Sequence, residues 1–139
     1  MTADLVQFLR DRLDEDERAA HWADDGAGAN WEACFTDHLK EQMGITEVGS
    51  GFVFVDGFQD VAFGAAVHAA RHDPARVLRE VDAKRSIVDA YVEAAAWFDA
   101  PENRHHPAGE AYGLYTALRL LALPYADHPD YQEWRLAAG

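Results

Sequence analysis

His68 and His72 stand four residues apart. A helix puts that spacing on one face, where two imidazoles can ligate zinc if further ligands converge. Asp73, His105 and His106 are the side chains nearest to hand for such a set. The run His68-Ala69-Ala70-Arg71-His72 lacks the glutamate of His-Glu-x-x-His, which supplies the general base in a metalloprotease helix. Arg71 also adds positive charge beside a cation. A weak metal pair at His68 and His72 is therefore set against two helix-end histidines favoured by the C-terminal dipole, and the second fits better. Cys34 is the single cysteine, so an internal disulfide and a thiolate-rich metal site are excluded. It reads as a small hydrophobe on a strand. Ser50 and Ser86 have no nucleophile context, and Gly49-Ser50-Gly51 is too short to cradle a phosphate. No catalytic residue and no cofactor is assigned.

Lys84 and Arg85 fall inside the apolar arc of a long amphipathic helix. A cation there must snorkel or find a carboxylate, because an unpaired buried charge is very costly. Arg12 and Asp16 likewise intrude into the apolar arc of the first helix. Asp16, or a nearby acid, is expected to pair with Lys84 or Arg85. The competing reading is an anion pocket built on those two cations. Tyr131 and Trp134 are expected at the surface, where aromatics commonly anchor interfaces.

Several segments must position these residues. Leu5, Phe8, Leu9 and Leu13 follow at helical spacing after Thr2, and the helix is expected to end near Trp22 to Asp24, ahead of Gly26 and Gly28. Trp31, Ala33 and Phe35 alternate as in a strand. Ile45–Val48 and Phe52–Val55 flank Gly49-Ser50-Gly51, a hairpin signal, and Asp56-Gly57 reads as a turn. Helical spacing resumes from about Asp60. Asp73-Pro74 then supplies an N-cap acceptor followed by proline at the first helical position, opening a helix to about Phe98. Pro101 to Gly109 reads as a loop. A helix from about Glu110 to Leu123 is apolar nearly all round, which suits a central position or an oligomer contact. Pro124 ends or kinks it, and Asp127-His128-Pro129 opens a final turn or short helix. The expected fold is α+β and mainly helical: three main helices with a small antiparallel meander, in one domain over residues 1–139.

The chain has 139 residues and a formal charge of −13. Residues 1–70 hold 14 acids against 4 bases, and residues 71–139 hold 11 against 8. Such a surface repels phosphate, so direct nucleic-acid binding and docking to an anionic membrane are not expected, and basic partners are favoured. No apolar run approaches a membrane span, and the opening residues lack the apolar stretch of a signal peptide. A cytoplasmic setting follows as an expectation. The run Asp11, Asp14, Glu15, Asp16, Glu17 is interrupted by Arg10, Arg12 and Arg18, which suits ordinary helix ion pairs such as Asp14 with Arg18 more than an imitation of DNA.

Two stretches, His68–Arg85 (HAARHDPARVLREVDAKR) and Leu118–Tyr131 (LRLLALPYADHPDY), together with Leu5–Glu17 (LVQFLRDRLDEDE), carry a resemblance. They resemble a family of short uncharacterised proteins from actinobacteria and their phages. The resemblance implies that origin and no activity. Family members often carry cysteines in the loop before the last helix, where this chain has His105, His106 and Tyr112. The resemblance marks Lys84, Arg85, Asp127, His128 and Tyr131, with Trp134 beside them, as candidate binding residues. The leading expectation is a non-enzymatic acidic accessory protein that binds another protein, such as a phage or prophage factor acting on a host target. A DNA-mimic inhibitor is one alternative. A metal- or small-molecule-binding protein using His68 and His72, or Lys84 and Arg85, is the other. Dimerisation through the last helix is a further expectation.

Overall fold

The computed structural model of the chain describes residues 2–37, 42–50, 53–55, 63–103 and 109–134. The fold is α+β and mainly helical. Its elements run α1 (Thr2–Ala27), β1 (Trp31–Phe35), β2 (Met43–Glu47), β3 (Val53–Val55), α2 (Phe63–Arg71), α3 (Pro74–Asp99) and α4 (Gly109–Ala122). Short 3-10 turns follow α3 and α4 at Pro101–Asn103 and Leu123–Tyr125. The expected Asp56-Gly57 turn, the helical start at Asp60 and the pair His105-His106 lie outside the described residues. No helix among the described residues is long and apolar enough to cross a membrane. The chain divides into two compact units, residues 16–80 and residues 1–15 with 81–139.

The unit of residues 16–80 holds the sheet. The three strands form an antiparallel meander in the order β1-β2-β3. Trp31 lies opposite Glu47, and Ala33 opposite Ile45. A three-stranded sheet needs a cover to become stable. That cover is α2, whose buried Ala66 meets Met43 and Ile45 together with Trp31, Ala33 and Ala69. Small side chains on α2 let helix and sheet approach closely.

The end of α1 corrects the sequence reading. Gly26 remains helical, and the helix runs three residues beyond Asp24 to Ala27. Gly28 is the residue that stops it, with φ +77° and its N–H donating to Asp24 O at 2.8 Å. A glycine in the last turn costs little, whereas the left-handed residue past the end is where glycine is favoured. Gly49, at φ +101°, does the equivalent job in the β2–β3 connection.

Asp73 then joins β1 to α3. Its Oδ1 accepts from Arg76 N–H at 2.8 Å and its Oδ2 from Trp31 N–H at 3.2 Å. The Asp73 carbonyl accepts from Val77 N–H at 3.0 Å, and Ala29 O takes Ala75 N–H at 2.9 Å. Pro74 has no N–H to satisfy. The first turn of α3 thus leaves no backbone donor without an acceptor, although helix starts ordinarily orphan several. Trp31 Nε1–H is also bonded, to Gly28 O at 2.7 Å.

The unit of residues 1–15 and 81–139 is helical. Leu5, Leu9, Leu13, Val81, Val88 and Leu118 are its most fully buried large side chains. Two ion pairs link α1 to α3: Arg10 to Asp89 at 3.1 Å and Arg85 to Asp14 at 2.6 Å. Exposed pairs of this type contribute about 0–1 kcal/mol each, so apolar burial carries the packing. Tyr91 and Tyr115, with ring centroids 5.8 Å apart, link α3 to α4.

Candidate functional site

Phe8 recurs one turn after Leu5 on the apolar stripe of α1 and is 6% exposed. Four aromatic rings from the segment after α4 surround it. Tyr125, His128, Tyr131 and Trp134 have ring centroids 6.3, 5.9, 6.0 and 5.0 Å from that of Phe8. Most of these contacts are edge-on, the arrangement favoured by ring quadrupoles. Tyr131 and Trp134 pack edge to face at 5.4 Å. The Trp134 carbonyl accepts from Arg119 Nε–H, which ties this segment back to α4. Tyr131 and Trp134 are therefore half-buried, each packed against Phe8 on one side and lining a surface groove on another.

One turn after Phe8, Arg12 is buried, at 7% exposure. Its guanidinium lies over the Phe8 ring, 5.4 Å from the centroid. It donates to Glu15 Oε1 at 3.0 Å and to His128 Nε2. The Asp130 N–H also approaches His128, at Nδ1, 3.1 Å away. A neutral imidazole has one in-plane lone pair, so it accepts from one of these donors at a time, and the guanidinium is the charge-assisted choice.

Two donors remain. Among the described residues three side-chain atoms are buried without a hydrogen-bond partner, Thr36 Oγ1 by the sheet and, in this cluster, Arg12 Nε and Trp134 Nε1. A buried donor left unmatched costs about 1–3 kcal/mol. Both residues line one open groove of ≈ 450 Å³. Phe8, Pro129 and Trp134 give it apolar walls, and Asp4, Asp11 and Asp130 give it carboxylates. Because Glu15 offsets the charge of Arg12, the groove is acidic. On its chemistry it can take a group that is apolar along its stem and cationic at its tip.

The family model for DUF6221, a family of unknown function, matches residues 2–136. The chain belongs to this family. No curated protein and no solved structure matches it.

In this DUF6221 chain the structure gathers some of the residues singled out in the sequence and separates others. His128, Tyr131 and Trp134 meet around Phe8, and Asp127 is exposed on the turn before them. Arg85 meets Asp14, the acid two residues before Asp16. Asp16 and Lys84 are half-buried and engaged in interactions of their own. Neither Lys84 nor Arg85 lines the acidic groove. His68 and His72 do come together, with ring centroids 4.5 Å apart, at the exposed C-terminal end of α2. Among the described residues no group of three or more metal-ligating side chains forms. Cys34 is half-buried, and burial, with the Glu32 charge second, pushes its thiol above the usual range, which works against a nucleophilic role.

Phe8, Tyr125 and the second role of Arg12 were not singled out in the sequence as site residues. A signal existed: an arginine inside an apolar arc, one turn after a phenylalanine, needs an aromatic or polar partner from elsewhere.

Proposed function

We propose that the chain is a non-enzymatic accessory protein that docks an extended, arginine- or lysine-bearing segment of another protein in the groove beside Phe8. The observation that carries this reading is the groove itself, in which apolar walls and three carboxylates, Asp4, Asp11 and Asp130, adjoin. The stem of an arginine or lysine packs on rings while its head meets carboxylates. A chain charge of −13 adds long-range attraction for a basic partner. The imitation of DNA draws less support, since Asp14 and Glu15 of the acidic run are engaged by Arg85 and Arg12. A cytoplasmic setting in an actinobacterium or its phage, with a host protein as target, belongs to the same proposal and rests on the resemblance of the motif stretches.

The test is a titration of the full chain with a labelled, acetylated and amidated peptide of alternating glycine and arginine, read by fluorescence anisotropy. Saturable binding is expected, weakened about tenfold in the double variant Asp11→Asn with Asp130→Asn and by raised salt. Both side chains are exposed, so the fold tolerates the change. Equal affinity of the double variant and the wild type rejects the groove as the docking site.

A further inference from the structure

We infer that the docked segment is held by one of its backbone carbonyls as well as by its cation, with Arg12 Nε–H and Trp134 Nε1–H as the donors that receive it. This inference rests on the docking reading and specifies what the ligand must carry.

The indole N–H and the guanidinium Nε–H can only donate. Both are buried, neither meets an acceptor among the described residues, and the two side chains line the same groove. Arg12 is otherwise held by Glu15, by His128 and by the face of Phe8, through bonds that leave its Nε–H unused. Trp134 is fixed by its ring contact with Phe8 and by its carbonyl bond to Arg119. The missing partner is an oxygen acceptor.

Charge decides which kind. A free carboxylate or phosphate would enter beside Asp4, Asp11 and Asp130 and be repelled. A neutral amide carbonyl meets no such penalty, and an extended peptide presents one at every residue, alternating in direction. An arginine in the same segment brings its cation to the carboxylates while a neighbouring carbonyl turns to the two donors. Both N–H groups are covered in the free chain, so access requires side-chain adjustments at Arg12 and Trp134 of the kind common when partners bind. Carbonyl and cation together distinguish this ligand from a simple polycation.

The experiment is isothermal calorimetry on the full chain with two probes of equal charge, the acetylated and amidated glycine-arginine peptide carrying three arginines, and spermidine, which has three cationic centres and no carbonyl. The wild type is expected to bind the peptide at least about tenfold more tightly than spermidine. Trp134→Phe keeps an aromatic wall against Phe8 and loses the N–H, so its peptide affinity should fall about tenfold, several-fold more than its spermidine affinity, which loses only ring area. Arg12→Lys, which keeps the charge and loses Nε–H, serves as the second variant and should show the same selective loss. Equal binding of the two probes by the wild type overturns the inference. So does undiminished peptide binding by Trp134→Phe; if the Asp11→Asn, Asp130→Asn variant is weakened in that case, docking stands and the carbonyl contact alone falls. Failure of the peptide to bind the wild type overturns both.

Discussion

The start of α3 and the groove beside Phe8 both collect polar groups from segments far apart in the chain, and they treat those groups differently. At Asp73 one carboxylate serves two backbone donors, Ala29 serves a third, and the Trp31 indole has the Gly28 carbonyl. At Phe8 two side-chain donors, on Arg12 and Trp134, have no acceptor among the described residues. A saturated polar junction is self-sufficient, because its groups have exchanged water for protein at no net loss. An unsaturated one carries a standing cost that an occupant can remove. The first is architecture; the second is where a ligand has something to gain.

Substitutions can break this contrast. Phe8→Ala removes the ring on which four others and a guanidinium rest, and a loss of about 3–5 kcal/mol in urea unfolding is expected. Asp73→Ala strips the α3 N-terminus of its cap and frees Trp31 N–H, for a loss of about 1–3 kcal/mol by the same measurement. Gly28→Ala should cost about 1–2 kcal/mol, since φ +77° suits glycine and the new Cβ would lie 2.4 Å from Glu47 Cγ, forcing that side chain aside. Trp134→Phe should change stability by less than about 0.5 kcal/mol, because relief of the about 1–3 kcal/mol cost of a buried, unmatched donor is offset by the smaller ring left against Phe8 and Tyr131. A large destabilisation by Trp134→Phe would place the indole N–H among the structural bonds and erase the contrast.

The smallest effect concerns Cys34. Its thiol sits above the ordinary range because burial disfavours the thiolate and Glu32 opposes it. Alkylation at pH 7.5 should be slower than for free cysteine and should accelerate only as the pH climbs past the usual thiol value. The linkage has the same sign. With the folded-state value raised, the neutral thiol's contribution to stability is intact below the unfolded-state value and declines as pH rises toward the folded one.

Local chemistry made Asp73-Pro74 legible in the sequence, since an N-cap acceptor and a first-turn proline act within a few residues. The meander was legible for the same reason, from alternation and a glycine-bearing turn. The stop of α1 was misplaced because two glycines in a row of three positions look alike on paper, and only the backbone shows that Gly28 takes positive φ. The groove was not legible. Arg12 and His128 are separated by 116 positions, and nothing near either residue announces the other. Tyr131 and Trp134 looked like surface anchors because their burial depends on Phe8, at the other end of the chain. His68 and His72 were correctly placed side by side by helical spacing, but a ligand set needs residues that spacing cannot supply.

The most direct test follows the indole protons of Trp31 and Trp134 by NMR as the glycine-arginine peptide is added. Trp31 Nε1–H should resonate downfield, bonded as it is to Gly28, and stay there. Trp134 Nε1–H should start upfield of it and move downfield along a saturable curve. A Trp134 proton already downfield in the free protein, and unmoved by a peptide that binds, would contradict the account.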